Sequence, residues 1–188
     1  MIDKTRTAFV VIDLQKGIVA NPTQPYPASD VIDKAARIAQ AFRKNQMPVF
    51  LVKVTPSQDR KDALHPLVDQ EMITNPQRSP DWAEIVPELG PEPGDFILTK
   101  RQWGAFYGTE LDLQLRRRKI DTIVLCGIST NFGVESTARF AYEYGYNVIF
   151  AEDACSARSN EGHEQSVKSI FPRIGRVRKT GEILVALE

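Results

Sequence analysis

Cysteine and histidine are scarce in this chain of 188 residues, with two of each. Cys126 and Cys155 cannot make a disulfide framework. His65 and His163 stand far apart, with no cysteine or carboxylate at metal-ligand spacing, so no metal site is expected. No cofactor is expected either. An excess of charge is also lacking: Lys+Arg and Asp+Glu each total 24. A balanced chain has no general drive toward nucleic acid or an anionic membrane, so neither is expected as a partner. The densest basic run, Arg116-Arg117-Arg118-Lys119, follows a helical pattern, where cations favour the negative end of the helix dipole. No apolar stretch approaches the length of a bilayer span. Residues 1–7 are polar and the apolar run after them stops at Asp13, which does not read as a signal peptide; the expected compartment is the cytoplasm.

What the chain does have is regular alternation. Thr7-Ala8-Phe9-Val10-Val11-Ile12 is a continuous apolar run ending in Asp13, the pattern of a strand buried on both faces. Residues 30–45 place Val31, Ala35, Ile38 and Phe42 at helical spacing, with Ser29 or Asp30 as the expected N-cap. Pro48 to Val54, Asp95 to Lys100, Thr122 to Ile128 and Asn147 to Ala151 read as further strands. Helices are expected over 109–119, 132–144 and 161–170, then a short strand near 174–179 and a last helical turn. Residues 55–94, rich in Pro, Asp and Gln, form a long excursion with room for one short helix, and long loops are often functional. With no repeat and no linker in view, residues 1–188 are expected to form one domain. The alternation predicts an α/β fold of three layers, Rossmann-like, with about six mainly parallel strands and helices on both faces.

Ligands of open parallel sheets bind at the carboxyl ends of the strands. There the first strand delivers Asp13 and Gln15, and the third delivers Lys100 with Arg101, Gln102 and Trp103 behind it. The fourth delivers Gly127-Ile128-Ser129-Thr130-Asn131-Phe132-Gly133 and the fifth Glu152-Asp153. An aspartate ending a buried strand loses hydration, which raises its pKa, while a nearby ammonium lowers it. Asp13 and Lys100 could therefore hold a proton-transfer group in a tuned state. The turn at 129–133 opens a helix, whose first N–H groups point at any arriving anion. Each feature has a plain alternative. The Asp could cap a turn, the Lys could be a solvated charge, and Trp103, Phe106 and Tyr107 could pack the loop on the next helix. Convergence on one edge is more informative than any of them alone.

At this point the residues resemble a known family. Val10-Val11-Ile12-Asp13-Leu14-Gln15 is similar to the opening strand of the isochorismatase-like hydrolases. Thr99-Lys100-Arg101-Gln102-Trp103-Gly104-Ala105-Phe106 resembles their lysine segment, and Gly127 to Ala138 their nucleophile segment, in the same order. In the amidases of the family a cysteine opens the helix after the fourth strand, and an Asp–Lys pair completes its triad. Gly133 stands at the matching position and offers no nucleophile. Nicotinamidases of the family bind a metal through an Asp/His cluster after the second strand, where His65 is this chain's only histidine. Isochorismatases resemble the chain in having glycine there, and cleave a vinyl ether without a protein nucleophile.

That resemblance implies Asp13 as general acid toward the enol-ether carbon, with Lys100 holding the acid and binding a substrate carboxylate. The chain departs from isochorismatases at Gln102, where they tend to carry arginine, and at Ile12, where they tend to carry histidine. The resemblance further implies a cis peptide at Ile128–Ser129 and a homo-oligomer. The aromatic set Phe140, Tyr142, Tyr144 and Tyr146 offers more apolar surface than one helix face needs.

The expected catalytic positions are thus Asp13, Lys100 and Gly133, with Gln15, Trp103, Ser129, Thr130, Asn131 and Phe132 expected to contact a small-molecule substrate. Three functions remain open. One is a cysteine-independent hydrolase of a small carboxylated molecule. Another is an amidase with a substitute nucleophile, for which Cys155 qualifies by following the fifth strand. The third is a binding protein built on a hydrolase fold.

Overall fold

The computed structural model describes residues 2–70 and 78–188. Six strands make one sheet: β1 (Thr7–Ile12), β2 (Val49–Val54), β3 (Phe96–Lys100), β4 (Thr122–Ile128), β5 (Asn147–Ser156) and β6 (Arg176–Arg178). Their order is β3-β2-β1-β4-β5-β6, and every pairing is parallel. All six residues of β1 and all seven of β4 are buried, as central parallel strands require when both faces are covered.

The helices are α1 (Lys16–Val19), α2 (Ala28–Lys44), α3 (Leu111–Arg117), α4 (Glu135–Glu143), α5 (Asn160–Gln165), α6 (Phe171–Ile174) and α7 (Thr180–Val185). The sheet grows from β1 toward β3 and, after a return, from β4 toward β6. Right-handed crossovers then put α2 on one face and α4 to α6 on the other. The stripe Val31, Ala35, Ile38, Ala39 and Phe42 of α2 is fully buried. Among the described residues no helix is long and apolar enough to cross a membrane.

Several boundaries differ from the sequence expectation, each for a physical reason. Helix α2 starts at Ala28 behind Pro27, which has no side-chain acceptor, so neither Ser29 nor Asp30 is its cap. Asp30 sits in the first turn, where its charge meets the positive end of the dipole. The helix expected over 132–144 opens as a π-helical turn, Thr130–Val134, before α4. The helix expected over 161–170 is interrupted by a second π-helical turn, Ser166–Ile170. Ser159 caps α5, its hydroxyl accepting the Gly162 N–H at 3.1 Å. In the 55–94 excursion the helical element is a 3₁₀ turn, Pro87–Leu89, and Ile85 forms an antiparallel bridge with Gln15. Residues 71–77 of that excursion lie outside the described residues. Of the four expected surface aromatics, Tyr146 is buried and Phe140 packs on the core, leaving Tyr142 and Tyr144 exposed.

Strand β5 runs five residues beyond Ala151, to Ser156. Against β4, its register jumps from Leu125↔Phe150 to Gly127↔Cys155. The bulge lets the charged pair Glu152-Asp153 leave the ladder while Ala154 and Cys155 return to the core. Gly127 makes this possible. Its φ is +130°, and a Cβ there would lie 2.1 Å from the Ile12 carbonyl oxygen. Gly127→Ala should therefore lower the unfolding free energy by about 3 kcal/mol or more. Gly145 has φ +84° with open space around it, so Gly145→Ala should lose only about 1–2 kcal/mol. Urea titration of both variants beside wild type checks the contrast; equal midpoints would contradict the close-approach argument.

Candidate active site

The order 3-2-1-4-5-6 has its reversal point between β1 and β4, and the ends of those strands hold the candidate chemistry. Just past β1, Asp13 turns the chain at φ 54°, a conformation Asp tolerates better than most residues. Its N–H stays on the Val52 carbonyl at 2.8 Å, so its backbone is an extension of the sheet. Lys100, the last residue of β3, reaches across β2. Its ammonium donates to Asp13 Oδ2 at 2.8 Å and to the Gln102 carbonyl at 3.0 Å. Both residues are inside, Lys100 at 1% and Asp13 at 6% exposure. Burial pushes the Asp13 carboxyl up and the Lys100 charge pulls it back, for a net pKa of about 6. The second oxygen, Oδ1, is buried and accepts no hydrogen bond from the described residues.

Gly133 faces this pair. A Cβ built on it would lie 3.3 Å from Asp13 Oδ2, 2.9 Å from Ile12 Cγ2 and 3.4 Å from the Trp103 carbonyl oxygen. The position therefore touches the acid, and even a methyl would press on Ile12. The peptide Ile128–Ser129 that leads into this turn is cis. The Ser129 carbonyl accepts the N–H groups of Phe132 and Val134, both at 3.2 Å. Thr137, which the sequence did not single out, ties the turn to the lysine segment. Its hydroxyl donates to the Gly133 carbonyl at 2.7 Å and accepts the Ala105 N–H at 3.1 Å. Gln102 braces the same segment, donating to the carbonyls of Gly104 and Tyr107 at 2.8 and 2.7 Å.

The aromatic residues divide. Trp103, 48% exposed, and Phe132, 37% exposed, stand with ring centres 4.9 Å apart beside Gly133 and form an apolar lip. Phe106 is buried against Tyr144 and Tyr146, and Tyr107 points to solvent. Ser129 and Asn131 are half-buried on the same turn, and Asn131 Oδ1 has no partner.

Two expected substrate contacts are corrected. The amide of Gln15 is fully buried and closes a pair of hydrogen bonds with the Val54 backbone, donating at 3.1 Å and accepting at 2.8 Å. It clamps the ends of β1 and β2 and has no free surface. Thr130 is also fully buried, its hydroxyl 2.9 Å from His163 Nδ1. Lys100 is likewise buried, its ammonium on Asp13 and the Gln102 carbonyl. Nor do the cysteines offer a nucleophile. Both are fully buried, burial pushes both thiols well up, and Cys155 donates to the Ala151 carbonyl at 3.3 Å.

A polar cluster behind the turn escaped the sequence analysis. Glu152 Oε1 lies 3.2 Å from His163 Nε2 and accepts from the Tyr26 hydroxyl at 3.0 Å, while Oε2 pairs with Lys179. Burial pushes the Glu152 carboxyl up, but hydrogen bonds from His163, Lys179 and Tyr26 outweigh it and bring the pKa to about 2. Only Glu152, at a strand end, carried a sequence signal. Among the described residues no group of three or more His, Cys, Asp or Glu is placed to hold a metal ion.

The isochorismatase domain model matches residues 7–182. YecD of Escherichia coli O157:H7, described as an uncharacterized isochorismatase family protein, is 52% identical over 189 residues, with 96% of each chain covered. YwoC of Bacillus subtilis, described likewise, is 52% identical over 185 residues, covering 97% of this chain and 95% of that one. The structure of an isochorismatase family protein from Burkholderia thailandensis is similar at a TM-score of 0.94 and 45% identity, covering 99% of this chain and 97% of the other. With that sheet order, that placement of Asp13, Lys100 and Gly133 and these matches, the chain belongs to the isochorismatase family of hydrolases.

Proposed function

We propose that the protein hydrolyses a small carboxylated molecule of the vinyl-ether type without a covalent enzyme intermediate, with Asp13 as general acid. The observation that carries this is the Asp13 carboxyl itself. One oxygen, Oδ2, is held by Lys100 and lies beside Gly133, where a side-chain nucleophile is missing, and the other, Oδ1, has no partner among the described residues. Protonated Asp13 gives its proton to the terminal carbon of the enol ether. A C–H bond forms from the π pair, and positive charge develops on the carbon bearing the ether oxygen. Water adds to that carbon and returns a proton to the Asp13 carboxylate. The resulting hemiketal expels the alcohol and leaves a ketone. Lys100 stabilises the carboxylate after proton transfer. The N-terminal turn of the helix beginning at Thr130 is suited to hold the substrate's anionic group. Trp103 and Phe132 would cover its apolar part.

A screen of enol ethers, amides and carbamoyl compounds tests the assignment. Asp13→Asn keeps size and shape but removes the transferable proton, so turnover of a hit should fall about 10²–10⁴-fold. Iodoacetamide and Cys155→Ser should leave turnover near wild type. Loss of turnover after either, with circular dichroism unchanged, would replace this mechanism by a thiol one.

The acid must be protonated to act, so kcat/KM should fall as pH rises through about 6. Lys100→Met removes the charge that lowers this pKa, so the falling limb should move to higher pH. An unmoved limb would assign it to another group.

Gly133→Ala tests the crowding. The methyl meets Ile12 and Asp13 within the distances above, so vinyl-ether turnover should fall about tenfold or more and stability by about 1–3 kcal/mol. Wild-type kinetics in this variant would show that the space at Gly133 is not used.

A further inference from the structure

Thr130, His163 and Glu152 form a hydrogen-bonded chain: Thr130 Oγ1 to His163 Nδ1 at 2.9 Å, and His163 Nε2 to Glu152 Oε1 at 3.2 Å. The order hydroxyl, imidazole, carboxylate is that of an activated nucleophile. Burial rules that use out, since Thr130 has no exposed surface and His163 almost none. The chain must act on something it holds.

What it holds is the turn of the candidate site. Thr130 opens the π-helical turn that carries Asn131, Phe132 and Gly133. The carboxylate of Glu152 can only accept, so His163 Nε2 carries a proton, and in the neutral imidazole Nδ1 is a bare acceptor. The Thr130 hydroxyl then donates to Nδ1, which turns its side chain away from the site. The anchor is firm. Glu152 is also bonded to Tyr26 and Lys179, and the edge of the Tyr26 ring packs on His163 at 5.8 Å between centres. The segment around Tyr26 is itself fastened to β5 by Ser156 Oγ on the Tyr26 carbonyl at 2.7 Å and by a backbone pair between Gln24 and Ala157 at 2.8 and 2.9 Å.

A second contact points the same way. A Cβ on Gly162 would lie 2.8 Å from Asn131 Nδ2, so the residue before His163 is one whose missing side chain lets Asn131 come close. Two adjacent residues of α5 thus support two adjacent residues of the turn.

We propose that His163 is a positioning residue: gripped by Glu152, it holds Thr130 and thereby sets Asn131, Phe132 and Gly133 against Asp13. This rests on the reading that the 129–133 turn lines the active site. Its decisive measurements need no substrate, so they fail separately from the vinyl-ether assignment.

The chain has two histidines, and His65 is exposed, so His65→Gln leaves His163 alone for nitrogen-15 NMR. The Nε2–H tautomer is expected at neutral pH. Thr130→Val, the same shape without the hydroxyl, should shift the Nδ1 resonance and leave Nε2–H bound. It should also speed amide exchange over residues 130–133 by about tenfold or more, while Ala138 and Ala141 in α4 exchange as in wild type. On a hit substrate the same variant should lose about 10²-fold in kcat, as displaced catalytic geometry does, with the pH limb assigned to Asp13 unmoved. Thr130→Ser, which keeps the hydroxyl, should restore both exchange and kcat. If Thr130→Val does not fold, His163→Gln makes the same comparison from the other partner. An Nδ1–H tautomer, wild-type exchange at 130–133 in a folded Thr130→Val, or no rescue by Thr130→Ser would each overturn the proposal.

Discussion

The approach of β4 to β1 at Gly127 is the constraint on which the rest of the site depends. The Ile12 carbonyl oxygen occupies the place a side chain on Gly127 would need. Only a residue without a side chain lets the two central strands stay in register, from Thr7↔Thr122 to Ile12↔Gly127. Asp13 follows Ile12 directly, and Gly133 follows Gly127 by one cis-started turn. Strand pairing therefore fixes where both segments start, one residue before Asp13 and at the head of the turn that carries Gly133. At the same residue the register with β5 shifts, and the bulge carries Glu152 out of the ladder and toward the back of the turn.

Such rigidity is needed because the site keeps an ionisable pair out of water. Desolvating a carboxylate and an ammonium costs about several kcal/mol per ion, and attraction returns that only when geometry and hydrogen bonds are good. Lys100 meets the condition, with Asp13 Oδ2 and the Gln102 carbonyl as acceptors. Asp13 does not, because Oδ1 is unpartnered. The sign of the consequence follows from the pKa. In the fold Asp13 holds its proton up to about pH 6, against an ordinary value of 3.8. Its contribution to stability is therefore fullest in acid, declines between those values, and is gone above about 6. Carrying the ionised acid at neutral pH therefore lowers stability. A carboxyl kept in that state for packing alone would be poor design; one oxygen held and one left free suits proton transfer.

The sequence showed the sheet and the acid–lysine pair because both have local signatures. A run such as Thr7 to Ile12 is apolar throughout, and the rule on strand ends then singles out Asp13, Lys100 and the turn before α4. What it could not show was which polar groups are satisfied inside. Gln15 and Thr130 have the chemistry of substrate contacts, but the Val54 backbone and His163 claim them, and those partners lie 39 and 33 residues away. The Tyr26–Glu152 contact spans 126 residues. The end of β5 was hidden for a related reason. Glu152-Asp153 looks like a strand end until the β4 register shows the ladder resuming at Cys155.

The turn between Ser129 and Val134 is thus held from two sides by groups of different character. On the Asp13 side it presents the backbone of Gly133, so no side chain of the turn crowds the carboxyl. On the other side it presents Thr130 to His163, whose second nitrogen meets a carboxylate that three donors keep ionised far below neutral pH. One carboxyl is poised to exchange a proton and the other is locked against it. The difference comes from the number of donors and from the heavier desolvation of Asp13. Glu152 has His163, Tyr26 and Lys179, whereas Asp13 has Lys100 alone. With the rear carboxyl fixed in charge, the imidazole keeps one tautomer and the turn keeps one position while Asp13 changes its protonation. On the proposed mechanism, separating the titrating group from the positioning group in this way would let a site without a nucleophile keep its geometry through the proton transfers that replace one.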